Sequence, residues 1–190
     1  PVDSAETHAT CLYDFSVADG YSEIVLANYM ALDRVWSYEA GSYTDIEQTE
    51  MGSHLTTDCA VGDFDGDGQE DELMINADGV THFERTPNGY VDLSASLPAV
   101  VSGAPQSVGS ADINGDGRLD FVVGVSGGND VVWLQDGNGA FTSGGTLPNS
   151  YSQTYGVELA DLDADGMVEA VIASWNQCRI YTFNGTDFEM

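Results

Sequence analysis

Asp112-Ile-Asn-Gly-Asp-Gly-Arg-Leu-Asp120 is the stretch whose reading decides the fold. It sets oxygen-bearing side chains at positions 1, 3, 5 and 9 (Asp112, Asn114, Asp116, Asp120) and glycine at position 6. The pattern stands again 49 residues earlier, with Asp63, Asp65, Asp67 and Asp71, and 49 residues later, with Asp161, Asp163, Asp165 and Glu169. This spacing lets a short loop wrap a hard cation that takes six to eight oxygens at roughly 2.3–2.6 Å. Gly68, Gly117 and Gly166 permit the sharp turn such a loop needs. Position 7 (Gln69, Arg118, Met167) has only its backbone carbonyl to offer. Three loops in register predict Ca²⁺ as the cofactor, at three sites in a chain built from repeats.

The register reaches further back. Asp14 lies 49 residues before Asp63, and Asp14, Ser16, Asp19 and Glu23 read as a degenerate fourth site with one residue inserted. After each loop comes an apolar run (Ile24–Ala27, Leu73–Ile75, Phe121–Val125, Ala170–Ala173), then a polar turn and an alternating segment such as Val131-Val-Trp-Leu134. A glycine turn with an aromatic follows: Tyr43, Tyr90, Phe141 and Phe188. Alternation with β-branched and aromatic enrichment predicts strands. Each repeat is expected to be four short antiparallel strands, with the acidic loop joining the first two. An EF-hand is excluded, because position 12 falls on Met74, Val123 and Ile172 inside strand runs rather than on glutamate between helices.

Asp-x-Asp-x-Asp-Gly-x-x-Asp between two strands, repeated at about fifty residues with a later glycine–aromatic turn, resembles the FG-GAP/VCBS family of β-propeller repeats, which includes the integrin α blades. The resemblance spans nearly the whole chain. It implies calcium held between the first two strands of a blade, and no single function. A family ring usually has seven or eight blades, whereas this chain offers repeats with loops starting at 14, 63, 112 and 161. The expectation is one all-β domain over residues 1–190, a four-bladed propeller closed by N- and C-terminal strands that share a blade. The same split can act between molecules, or an open half ring can be completed by another chain.

With 32 Asp+Glu against four arginines and no lysine, the formal charge is −28. Such a surface repels nucleic acid and anionic membranes. The apolar content of 42% nevertheless suits a folded domain. No apolar run is long enough to span a bilayer, and a chain opening on Pro1 reads as a mature or excised segment of an extracellular protein. Ring geometry makes Cys11–Cys178 a candidate disulfide closing the circle, against three buried thiols as the alternative. Asn184-Gly-Thr186 is a candidate glycosylation triplet on a turn. His8, His54 and His82 show no ligand spacing, and Trp175 stands in a turn where an exposed ring could meet a ligand. No nucleophile elbow or phosphate loop occurs, and the paired carboxylates are already claimed by the loops, so no catalytic residue is assigned. Two functions remain: a structural module of an extracellular layer, matrix or filament, partnered by copies of itself or other extracellular proteins, or a recognition module binding glycan or protein through one face.

Overall fold

The computed structural model describes residues 6–13, 21–46, 53–86, 89–99 and 102–190. They form sixteen strands in four consecutive groups. The first unit is β1 (Glu6–Tyr13), β2 (Glu23–Leu32), β3 (Arg34–Glu39) and β4 (Ser42–Asp45). The second is β5 (Ser53–Gly62), β6 (Asp71–Asn76), β7 (Gly79–Thr86) and β8 (Gly89–Asp92). The third is β9 (Ala104–Ala111), β10 (Asp120–Gly128), β11 (Val131–Gln135) and β12 (Phe141–Thr146). The fourth is β13 (Ser152–Ala160), β14 (Glu169–Ser174), β15 (Gln177–Phe183) and β16 (Phe188–Glu189). Every unit is an antiparallel meander whose first two strands are joined by the acidic loop, as the repeat pattern predicts. Equivalent cross-strand pairs recur in each: Ile24↔Trp36, Glu72↔Phe83, Phe121↔Trp133 and Ala170↔Tyr181.

Because a strand shows alternate residues to opposite faces, each unit presents one face to the unit before and one to the unit after. Three apolar cores fill the three junctions. Val25, Ala27 and Val35 meet Met74, Phe83 and Tyr90 at the first. Phe64, Leu73 and Ile75 meet Phe121, Val123, Trp133 and Phe141 at the second. Ile113, Val122 and Val132 meet Ile172, Tyr181, Phe183 and Phe188 at the third. The third-strand aromatics Phe83, Trp133 and Phe183 therefore pack unit against unit. Trp175 lies in its turn, well exposed, with its ring 6.4 Å from that of Tyr155.

The junctions alternate in kind. β2 runs past its own unit and pairs with the start of β5 through Tyr29↔Leu55, and β10 pairs likewise with β13 through Ser126↔Gln153. The result is two curled eight-stranded sheets. In each, an aspartate after the long second strand clamps the crossing. Asp33 accepts from Asn28 N and Thr56 Oγ1, and Asp130 accepts from Val125 N and Thr154 Oγ1. Gly124 leaves room for β13, since a Cβ there would stand 2.6 Å from Thr154 Cγ2. The middle junction has no such strand pairing. There Asp58 accepts from Ser107 Oγ and Val108 N, and Ser107 Oγ in turn accepts from Val157 N.

Two expectations are corrected. Among the described residues no blade is shared between the chain's ends: β1 pairs with β2 and β16 with β15, each inside a four-stranded unit, and no strand of the fourth unit pairs with one of the first. The first strands nevertheless face a common axis, for His8, Thr57, Gln106 and Tyr155, spaced by 49, line one open cavity of about 550 Å³. Nor is Cys11 bonded to Cys178. It is bonded to Cys59, with the Cα atoms 6.2 Å apart, while Cys178 is free and exposed. Cys11 and Cys59 sit on neighbouring first strands, β1 and β5, whereas Cys178 is the second residue of β15 on the far unit.

Candidate metal centres

The three complete loops share one backbone design. The position-1 carboxylate accepts the N–H of the position-6 glycine: Asp63 from Gly68 at 3.0 Å, Asp112 from Gly117 at 2.8 Å and Asp161 from Gly166 at 3.0 Å. These glycines hold φ of +90°, +85° and +90°, where a side chain is strained. The position-9 carboxylate accepts the N–H of position 2: Asp71 from Phe64, Asp120 from Ile113 and Glu169 from Leu162. Position 5 accepts from position 7: Asp67 from Gln69 N, Asp116 from Arg118 N and Asp165 from Met167 N. In each loop both oxygens of the position-1 carboxylate thus accept backbone N–H groups, which sets it among the oxygens of positions 3, 5 and 9.

In two loops those oxygens converge. One carboxylate oxygen each from Asp63, Asp65 and Asp71 lies within 4.8 Å of the others, and the same holds for Asp161, Asp163 and Glu169. Asp71 Oδ1 and Glu169 Oε1 are buried and have no hydrogen-bond partner. A buried carboxylate oxygen left bare carries a large desolvation cost unless a cation meets it. The residues therefore fit a Ca²⁺ ion: hard oxygen donors, several of them charged, on a preformed turn. The third loop differs. Asn114 brings an amide where the others have a carboxylate, Arg118 donates to Asp116 Oδ2, and both oxygens of Asp120 are taken, by Ile113 N and Gln135 N. Burial pushes the Asp120 carboxyl up to about 6 although those N–H groups favour its charge.

Two residues outside the spacing join the second loop. Glu84, from β7, has an oxygen within 4.8 Å of Asp65 and Asp67. Burial raises its pKa, and repulsion from Asp65, Asp71 and Asp67 adds to the rise. His82 is fully buried beneath the loop, with Nε2 3.4 Å from Asp71 Oδ2 and its ring edge-on to Phe64 and Phe141. Spacing within the loop says nothing of either. Alternation on β7 gives the only hint, because Glu84 is an acid on the strand that pairs with the end of the loop.

Of the degenerate site, Asp14, Ser16 and Asp19 lie outside the described residues. Glu23 takes the place of Asp71, fully buried, with Ser37 Oγ donating to its Oε1 at 3.0 Å. Asn184 is on an exposed turn, where its Oδ1 accepts from Thr186 N and Asp187 N and its amide meets Glu189.

A family model described as an FG-GAP-like repeat matches residues 18–74, 63–123 and 112–172, each span running from one acidic loop through the next. The chain belongs to the FG-GAP-like repeat family. No curated protein matches it in sequence. Among solved structures this FG-GAP chain is similar to the V. cholerae biofilm matrix protein Bap1, at 20% identity and a TM-score of 0.57, over 95% of this chain and 27% of that one. It is also similar to BBS1N in complex with ARL6DN, soaked with lead, at 11% identity and a TM-score of 0.61, over 98% of this chain and 57% of that one. The mercury-soaked form gives 9% identity, a TM-score of 0.58 and coverage of 99% and 54%. The FG-GAP chain thus spans between about a quarter and just over half of these structures' lengths. At such identities the likeness is one of fold.

Proposed function

We propose that this chain is a non-enzymatic, extracellular, calcium-binding module of the propeller type, and that its role is structural, in a surface layer, matrix or filament. The observation that carries the calcium reading is the convergence of carboxylates with bare buried oxygens, Asp71 Oδ1 and Glu169 Oε1, on two loops of one design. Asp63, Asp65, Asp67, Asp71 and Glu84 would hold one ion, and Asp161, Asp163, Asp165 and Glu169 another. The third loop, with Asp112, Asn114 and Asp116, would bind more weakly. The bound ion supplies charge neutralisation and nothing reactive. The residues' own work is to fix the link between the first two strands, and with it the angle at which neighbouring units meet.

Three further points support an extracellular structural role. The Cys11–Cys59 bond belongs to an oxidising compartment. Extracellular sites of this kind take calcium at roughly 10⁻⁴–10⁻³ M, a range where the ion is constantly present outside cells. Bap1, a protein of similar fold, is a biofilm matrix protein. Among the described residues no helix is long and apolar enough to cross a membrane, and with a charge of −28 neither nucleic acid nor anionic lipid is an expected partner. The test is light scattering behind size exclusion, in millimolar calcium and again in EGTA. Calcium-dependent assemblies support the structural reading, and a 20.2 kDa monomer in both overturns it.

A second reading rests on the axial cavity, where the His8 ring lies stacked on Tyr29 at 4.8 Å and Tyr155 stands exposed. Flat rings beside Thr57 and Gln106 suit a neutral glycan. A saturable hit on a glycan array, lost in Tyr155→Ala, would move the function to recognition.

A further inference from the structure

We infer that the fourth unit of one copy docks on the first unit of a second copy, repeating the contact by which the second unit joins the third. This rests on the assembly reading above and names the partner and the faces.

The argument is a comparison of equivalent positions. Position 2 of the acidic loop faces the following unit. Phe64 and Ile113 are buried there, in the second and third junctions, whereas Leu162 in the fourth unit is 54% exposed. Leu73, Val122 and Val171 occupy one position on the second strands, and pair across to His82, Val132 and Ile180. His82 and Val132 are buried, while Ile180 is 53% exposed. The leading face of the fourth unit is thus apolar at Leu162, Val171 and Ile180, with the exposed Glu158 paired to Val171 where its counterpart Ala60 packs in the middle junction.

The first unit shows the reverse. The glycine-turn aromatic faces the preceding unit, and Tyr90, Phe141 and Phe188 are all buried in that role. Their equivalent Tyr43, fixed by the matching pairs Tyr38↔Tyr43 and Gln135↔Phe141, is 42% exposed. Leu12, across the same face, is 65% exposed. Trp36 stands where Phe83, Trp133 and Tyr181 sit in junction cores, and is itself only half-buried.

Apolar patches of this kind mark interaction sites. The chain carries one face of each hand, so a second copy presents what each lacks. The fourth-to-first contact joins a short second strand to a unit with a long one, which makes the middle junction its template. It differs in its polar groups. Asp58 and Ser107, which hydrogen-bond across the middle junction, correspond to Gly156 and Ala9. Gln135, which donates to Phe64 O across the middle junction, corresponds to Tyr38, and Glu158 stands where Ala60 packs. The contact between copies therefore lacks the Asp58–Ser107 hydrogen bond and is looser, and assembly should depend on concentration. Two copies joined reciprocally complete a ring of eight units, and copies joined in series make an open filament. Either way the junction is the same.

The test uses the full chain in millimolar calcium with Ile180→Arg and Tyr43→Arg. Ile180 is exposed, so its variant should melt close to the parent; Tyr43 also stands edge-on to Tyr38 and donates to Ser22 O, so its variant should melt somewhat lower while remaining folded. Light scattering should give at least twice the 20.2 kDa chain mass for the parent, and monomer for each variant alone, with the half-assembly concentration raised at least tenfold. Mixing the two variants should restore a 1:1 complex, because the Tyr43 variant keeps a sound fourth unit and the Ile180 variant a sound first. A parent that assembles but whose assembly survives both substitutions overturns this junction and leaves the assembly reading standing. A parent that stays monomeric at every concentration overturns both. Monomeric variants that fail to combine overturn the pairing of these two faces.

Discussion

Asp65 shares its loop with four other carboxylates, Asp63, Asp67, Glu70 and Asp71. Burial pushes its pKa up, the N–H of Asp67 pulls it part of the way back, and Asp71, Asp67 and Asp63 add repulsion. Asp65→Asn keeps an oxygen for the Asp67 N–H while removing one negative charge. In EGTA the variant should therefore melt higher than the parent, by about 2–4 °C for each kcal/mol of repulsion relieved. In millimolar calcium it should lose much of the parent's calcium-dependent gain, because a ligand that binds only the folded state stabilises by mass action. Differential scanning fluorimetry in both buffers checks this, and a fall of equal size in each would sink the ligand assignment. At this scale the sequence was informative wherever the chemistry is local. The oxygens at positions 1, 3, 5 and 9 come together because one nine-residue loop carries them. Glu84 and His82 were not legible, since they arrive on a neighbouring strand and only the pairing of β6 with β7 brings them under the loop. The cysteines failed for a related reason. Cys11 and Cys59 lie 48 residues apart on like strands, but which like positions touch depends on how the units are set around the axis.

The alternation of long and short second strands is the feature of the elements themselves that the repeat concealed. Asp130, after β10, is fully buried, and burial raises its pKa to about 6 against the pull of Val125 N–H, Thr154 Oγ1 and Arg179. A carboxyl that holds its proton more tightly when folded contributes most at low pH, and that contribution is lost as pH rises from about 4 through about 6. Asp130→Asn keeps the acceptor for Val125 N–H and can donate to Thr154, without the buried charge. It should melt several degrees above the parent at pH 7.5, with the gap closing near pH 4.5; a gap independent of pH would show that the charge is not what matters. Reducing Cys11–Cys59 frees β1 from β5. Its 48-residue separation gives about 4 kcal/mol in the chain-entropy model, so the melting temperature should fall on the order of 10 °C. Cys59→Ser should reproduce the fall, and an unchanged melting point would contradict a formed bond. Strand positions were legible from alternation, whereas the pairing of units was not. Thr56 and Thr154 lie 98 residues apart, twice the obvious period, and a single short repeat hides a rule that acts on every second copy.

For the molecule as a whole, the number of units followed from the spacing of the loops, but their closure did not. Closure depends on the angle at each junction, and that angle is set by which side chains meet across it rather than by any local motif. On the proposed calcium reading the ion acts on this scale too. Without it Asp63, Asp65 and Asp71 face one another in one loop, and Asp161, Asp163 and Glu169 in another. In EGTA the melting temperature should drop, and amide exchange should quicken first in the acidic loops and the strand ends beside them, with the strand centres at the apolar junctions following. Exchange that quickens uniformly would show that the ion holds the global fold instead of its loops.

The two junction types also bear on how such a chain can change over generations. A gene lengthened by copying a short-stranded unit would set two such units side by side, where no strand crosses over and no Asp33 or Asp130 clamps the seam. Lengthening by two repeats copies every junction intact. The heritable module of this alternating arrangement is thus the pair, and a chain that keeps the alternation grows by two units at a time.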